Sequence, residues 1–254
     1  MGLTFTVLGC GSSGGVPRIG GVWGACDPSN PKNRRRRSGA LVERQGRGGT
    51  TRVLIDTSAD IREQLLEAKV DRLDAVLYTH DHADHTHGID DLRVLALAMK
   101  RRIDVHADAA TARALAQRFD YCFAQAPGSS YPAILRARTI VPGVAFRVEG
   151  PGGAIEILPF AQTHADGISL GFRISGLAYS PDVSGIPTET MPLLAGLDVW
   201  IVDALRYQPH PSHFTVAQAL EWIGRVRPGR AILTHLHTDL DYARLAKELP
   251  AGVE

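Results

Sequence analysis

A chain of 254 residues with 28 Lys and Arg against 27 Asp and Glu carries a formal charge of +1, which excludes a polyanion binder coated in positive charge but leaves room for a local cationic site. With 44% hydrophobic and 22% charged residues it falls among ordinary globular chains, long enough to bury a core without disulfides. Cys10, Cys26 and Cys122 are odd in number and scattered, so no disulfide framework is expected. Neither a basic leader with an apolar stretch nor a run of roughly 18 apolar residues occurs, so a cytoplasmic protein without a membrane partner is expected.

Residues 3–9 alternate apolar and polar and read as a strand, followed by a loop-like stretch through the arginine run at 34–37. Strands are predicted at 39–44 and 52–56, a helix at 61–69 and a buried strand at 74–80 that ends in a polar loop. Helices at 91–101 and 108–121 flank a short strand at 103–106, and 126–153 is Gly- and Pro-rich with weak strands. Strands return at 154–160, 168–174, 177–180, 197–204 and 230–235, with helices near 188–194 and at 215–226. Strands in both halves with helices between them predict one α/β domain over 1–254, with two sheets and outer helices.

The composition shows a mild excess of histidine, 10 in all, and their positions carry the functional signal. His80, Asp81, His82, Asp84 and His85 follow an apolar strand within six residues. Neutral imidazole and carboxylate oxygen are ligands that suit zinc, manganese or iron. His80 and His82 would diverge in a regular strand or helix, but on an irregular turn they can converge on one ion, with Asp84 and His85 turned toward a second. A merely His-rich surface loop would need no ligands downstream. Yet His164, Asp182 and His235 each end an apolar β-like run, where rigid strands present functional loops.

This pattern resembles the metallo-β-lactamase superfamily, whose HxHxDH signature stands here as HDHADH at 80–85, with His164, Asp182 and His235 at the expected later positions. The resemblance implies a four-layer αβ/βα sandwich of two mixed β-sheets. It also implies two divalent ions, Zn2+ or Mn2+, with His80, His82 and His164 on one, Asp84, His85 and His235 on the other, and Asp182 bridging. Two divalent ions less two carboxylates and a bridging hydroxide leave about +1, suited to activating a nucleophile near neutral pH and attracting a small phosphodiester.

Three further segments, 9–21, the arginine run leading into 39–43, and HPSHFT at 210–215, resemble the phosphoribosyl cyclic phosphodiesterase branch, which hydrolyses 1,2-cyclic phosphoribose and related diesters. The resemblance places His213 as general acid or phosphate ligand. The alternative for His213 is a place at the start of the 215–226 helix, where Ser212 or Thr215 can cap. Arg34, Arg35 and Arg37 are candidates for phosphate oxygens by strand alternation, against a solvated charge run. The Gly-rich 11–15 can offer backbone N–H groups. His87 and His237 are candidate outer partners of the ligands, whereas His106 and His210 read as structural. Members of the branch often bind a structural zinc through an early Cys cluster. With Cys26 alone in that stretch, none is expected here, and Cys26 and Cys10 read as packed small residues. The chain ends at LPAGVE, where members usually continue into a further strand. Exposed sheet edges in such a fold allow a homodimer.

Other readings are a tRNA 3′-processing endonuclease, which normally carries a long Gly/Pro-rich arm not seen here, and a glyoxalase II-like thiolester hydrolase, which leaves HPSHFT unexplained. A nucleic-acid binding module using Arg34, Arg35, Arg36 and Arg37 would bind in a salt-dependent way even without metal. Near-neutral charge favours a small phosphodiester over a long nucleic acid.

Overall fold

The computed structural model describes residues 2–254. Contacts divide the chain into two compact units, one of residues up to Leu8 with Gly39–Glu156, the other of Gly9–Ser38 with Ile157–Glu254. In the first unit the strands β1 (Leu3–Gly9), β2 (Gly39–Gly46), β3 (Gly49–Ile55), β4 (Ala75–Leu77), β5 (Ile103–Ala107) and β6 (Leu135–Thr139) are hydrogen-bonded in that order. β2 and β3 form an antiparallel hairpin, and β3 to β6 run parallel. Parallel neighbours need crossovers. These are α1 (Ile61–Glu67), then α2 (Ala83–Thr86) with α3 (Leu92–Met99), then α4 (Ala109–Arg118) with α5 (Asp120–Phe123). Their apolar faces bury Ile61, Leu65, Leu92 and Leu115 against Leu41, Leu54, Val76 and Val105 of the sheet.

The second sheet has the order β12-β11-β10-β9-β8-β7, from β7 (Phe146–Val148), β8 (Ile155–His164), β9 (Gly167–Ile174), β10 (Leu177–Ser180), β11 (Val199–Asp203) and β12 (Arg230–Thr234). β8, β9 and β10 form an antiparallel meander, and β10, β11 and β12 are parallel. With α6 (Val216–Val226) and α7 (Tyr242–Glu248), this unit buries Phe160, Trp200, Phe214, Leu233 and Leu245. Two mixed sheets of six strands each, with helices, place the described residues in the expected α/β class. No helix among them is long and apolar enough to cross a membrane.

Differences from the sequence reading have local causes. The strand predicted at 74–80 pairs only over Ala75–Leu77, because the backbone leaves the sheet as Thr79 turns to bond Asp56. The helix predicted near 188–194 is 3-10, with Pro192 inside it, where a missing N–H breaks the α pattern. α7 was not predicted. It is a seven-residue helix whose start is set by Asp241 accepting from Arg244 N at 3.0 Å. The last residues lie along the outer edge of β12, with Leu233 N donating to Glu254 O at 2.7 Å and Val253 bridging Ala231.

His106, on β5, stacks on Phe146 at 4.7 Å. Burial holds its pKa down to about 4. Between that value and its ordinary pKa near 6.5, the unfolded chain binds the proton and the folded chain does not, so folding stability falls as pH drops through this window. The contribution, discounted for partial exposure, is about 2 kcal/mol. A His106→Leu variant is expected to lose this part of the acid sensitivity, measured by urea unfolding at pH 7 and pH 4.5.

Candidate metal centre

In the first unit the candidate ligands lie on the irregular turn after β4 and on the short α2, which starts just after His82. The His80 ring stands 4.4 Å from both the His82 and the His85 rings, so the three imidazoles converge as the irregular turn allows. Asp84 Oδ2 is 3.4 Å from His85 Nε2. One buried carboxylate, Asp56, orients this set. Its Oδ2 accepts from His85 Nδ1 at 2.7 Å and from the Thr79 hydroxyl at 2.9 Å, and its Oδ1 accepts from Thr79 N at 2.9 Å. Because the Thr79 hydroxyl donates to Asp56, it accepts from His80 Nδ1 at 3.0 Å. Asp56 holds a positive φ of 62°, an uncommon conformation for a non-glycine residue that concentrates at functional sites. Burial pushes its carboxyl pKa up, against the lowering pull of His85 and Thr79.

In the second unit His164 ends β8, Asp182 follows β10, and His235 follows β12 at φ 59°. His164, Asp182 and His213 each present a ligand atom within 4.8 Å of the others. Asp182 Oδ2 is 3.8 Å from both His164 Nε2 and His213 Nε2, and its Oδ1 is 3.2 Å from His235 Nδ1. His164 Nδ1 bonds Ser212 O at 2.7 Å, and His235 Nδ1 also meets the Ser38 hydroxyl at 3.0 Å. His213 stacks on His235 at 4.6 Å with planes 12° apart. Its Nδ1 bonds Asp203 Oδ2 at 2.7 Å, and the same oxygen accepts from Val183 N at 3.1 Å. Asp203 is fully buried, and burial drives its pKa up against the lowering effect of His213.

These partners decide tautomers. A carbonyl or carboxylate only accepts, so His85, His164 and His213 carry their proton on Nδ1, and His80 does so through Thr79. Nε2 is then the basic nitrogen in each ring, the arrangement that ligating imidazoles need from their outer partners. Each donor set, imidazole with Asp84 in one unit and imidazole with Asp182 in the other, fits a divalent ion of the zinc or manganese type.

The outer partners differ from those expected. His87 sets its ring against Phe119 at 5.8 Å, and His237 Nε2 meets the Arg18 guanidinium. The candidate ligands instead bond Asp56, Thr79, Ser38 and the Ser212 carbonyl, which the sequence reading missed, as it missed Asp203 on His213. Asp56 and Asp203 had a readable signal, since each closes an apolar strand just as His80 and His235 do.

The helix start is capped by Thr215 and Gln218 bonding reciprocally, with Gln218 N donating to Thr215 Oγ1 at 3.1 Å and Thr215 N to Gln218 Oε1 at 2.9 Å. Of the two caps the sequence offered, Thr215 is the one used. Of the arginine run, Arg34 is exposed and Arg35 is 4% exposed. Arg35 is a correction to the phosphate-binding expectation: its guanidinium donates to Leu240 O at 2.7 Å and His237 O at 3.3 Å, tying the early loop to the C-terminal loop. Alternation turned it inward, toward carbonyls. It also contacts Cys26 Sγ at 3.7 Å, which itself donates to Thr238 O and Leu240 O at 3.4 Å each. Arg37 Nε bonds Ser13 O at 3.1 Å beside Ser38. In the Gly-rich loop the N–H groups of Gly11, Ser12 and Gly15 donate to Arg36 O, Leu236 O and Ser12 O, so they hold the loop itself.

Residues 51–236 match a family model described as a β-lactamase superfamily domain. A crystal structure of a new diphosphatase from the PhnP family is 34% identical, with a TM-score of 0.86 over 99% of this chain and 93% of that one. Zinc-bound PqqB from Methylobacterium extorquens shares the fold at 17% identity and a TM-score of 0.73, over 98% and 96% of the two chains. The short form of human tRNase Z does so at 17% and 0.64, over 92% of each. An octanoyltransferase of Porphyromonas gingivalis (strain ATCC BAA-308 / W83) is 32% identical over 231 residues, 91% of this chain but 45% of that protein, so the chain spans less than half of that relative. The chain belongs to the β-lactamase superfamily and has the metallo-β-lactamase fold. Within it, the likeness is to the PhnP family.

Proposed function

We propose that this chain is a dinuclear metal-dependent phosphodiesterase acting on small cyclic or diester phosphates, of the phosphoribosyl 1,2-cyclic phosphate type and extending to 2′,3′-cyclic nucleotides. The observation that carries the reading is His213, held by the buried Asp203 at 2.7 Å and set among His164, Asp182 and His235. Following the resemblance, His80, His82 and His164 would hold one ion and Asp84, His85 and His235 the other, with Asp182 shared. When bound, Zn2+ or Mn2+ supplies Lewis acidity and activates water for attack on phosphorus.

The chain's own groups complete the chemistry. Breaking a ribose P–O bond releases an alkoxide that needs a proton. His213 delivers it from Nε2, because Asp203 keeps the other proton on Nδ1 and steadies the ring while it is charged. Arg37, next to Ser38 in the sequence, is the guanidinium this reading assigns to a phosphate oxygen. A second reading, hydrolysis of a diphosphate, is favoured by the name of the 34% identical relative, and there the leaving phosphate depends less on an acid.

The test is a panel run on metal-replete protein: cyclic phosphoribose, 2′,3′-cyclic nucleotides, a linear bis-aryl diester, a diphosphate ester, precursor tRNA and a glutathione thiolester. The expected outcome is the highest kcat/KM on cyclic ribose phosphates. Turnover confined to precursor tRNA or to the thiolester overturns the assignment, and turnover confined to the diphosphate ester selects the second reading.

A further inference from the structure

The turn between His80 and His82 is gripped from outside by a residue that the hydrolytic reading leaves unused. Arg118 is the last residue of α4. Its Nη1 donates to Asp81 O, and its Nη2 donates to Asp81 Oδ2 at 2.7 Å. One planar guanidinium thus holds both the peptide oxygen and the carboxylate of a single residue, a fork that fixes geometry as well as pairing charge. The base of the fork is firm. Phe119, the next residue, packs against the core of the first unit and also meets the His87 ring. Two consecutive residues at the end of α4 therefore touch the candidate-ligand turn on either side of His82, Asp84 and His85. A cation in the last turn of a helix also suits the negative end of its dipole.

The three imidazoles of that turn are not held alike. His80 and His85 are buried, and their Nδ1 atoms meet the Thr79 hydroxyl and the Asp56 carboxylate. His82 is exposed. Its carbonyl accepts from His85 N at 3.1 Å and from the Thr86 hydroxyl at 2.9 Å, and the peptide that joins it to Asp81 has its oxygen on Arg118. These bonds fix its main chain from both sides. Asp81 lies between two candidate ligands, so a rotation of its backbone would move one imidazole relative to the other. Partners outside the ligand set raise affinity by orienting the ligands.

We propose that Arg118 is a positioning residue for the metal centre: by clamping Asp81 it holds His82 in convergence with His80, 4.4 Å between rings, and so raises affinity for the ion the two would share. This rests on the metal-centre part of the proposed function and not on its substrate. Charge alone predicts the opposite. Arg118 is a cation near a site for cations, and removing it also unmasks the Asp81 carboxylate. By Coulomb attraction a neutral residue at 118 should tighten metal binding; loss of positioning should weaken it. The sign of the change decides between them.

The experiment titrates metal-stripped protein with Zn2+ against a chromophoric chelator, which reads stepwise affinity without turnover. Arg118→Gln is expected to weaken one binding step about tenfold, the low end of the range for outer partners. The low end applies because the paired side chains are 47% and 35% exposed. For the same reason the thermal midpoint of the metal-free protein should stay close to wild type. Arg118→Lys, with a single ammonium in place of the fork, should recover part of the affinity. Asp81→Ala should weaken the same step, and adding it to Arg118→Gln should cost little more, because the two residues share one interaction. Zinc binding by Arg118→Gln that is unchanged or tighter overturns the proposal. Equal weakening of both steps overturns it as well, being the mark of a loosened fold. A wild type that takes up no zinc overturns the metal-centre reading, and the positioning role with it.

Discussion

Asp182→Asn is expected to leave the fold intact and to lower kcat/KM at least about a hundredfold, with bound metal falling in parallel. The loop is held without the Asp182 side chain: its carbonyl accepts from Gln162 Nε2 at 3.0 Å and from the Ser169 hydroxyl at 2.5 Å. The next residue, Val183, is held by Asp203. An amide of the same volume therefore keeps the backbone and removes only the negative charge, from a residue 2% exposed and 3.2 Å from His235. With imidazoles on several sides, that carboxylate is the group able to neutralise a divalent ion there. Metal per chain by mass spectrometry, kcat/KM on a bis-aryl diester and the thermal midpoint measured together check the prediction. Wild-type protein dialysed against a chelator should lose activity likewise and recover it with Zn2+ or Mn2+. A variant with full metal and full rate would remove Asp182 from the shared position.

How far the sequence revealed the centre depended on the distance over which each residue acts. His80, His82, Asp84 and His85 fall within six residues, and their spacing pointed to a candidate centre that a regular strand or helix would not assemble. His164, Asp182 and His235 were legible because each closes an apolar strand, and loops at strand ends carry function. Asp56 shared that signal, but its meaning lies in a contact across 29 positions to His85, which spacing does not record. Arg35 shows the opposite failure. Alternation in the arginine run correctly implied that some side chains turn inward, but the carbonyls of Leu240 and His237 that receive this one lie some 200 residues away. In the fold, strands with continuous apolar runs were found to within a few residues. β4 ends at Leu77, earlier than its apolar run, because the Asp56–Thr79 bonds outweigh local preference. α7 escaped notice because seven residues carry little periodicity.

His213→Ala is expected to lower kcat about 10²- to 10⁴-fold on substrates that expel an alkoxide, the range for a general acid, with bound metal unchanged. On bis(p-nitrophenyl) phosphate the loss should be much smaller, because nitrophenolate departs without a proton. Asp203→Asn should show the same leaving-group dependence at a reduced scale, about ten- to a hundredfold. An amide at that position can still meet His213 Nδ1, but it favours the wrong tautomer and no longer stabilises the charged ring. Asp203 acts through His213 and is a positioning residue, so the diagnostic is the contrast between leaving groups. A change that only loosened the 210–215 turn would slow both substrates equally. Metal content separates the remaining alternative, since His213 shares a ligand-competent cluster with His164 and Asp182. If His213→Ala protein loses an ion, His213 is a ligand and the proton must come from elsewhere. If the ion stays and only alkoxide substrates suffer, the Asp203–His213 pair is the proton donor of the reaction.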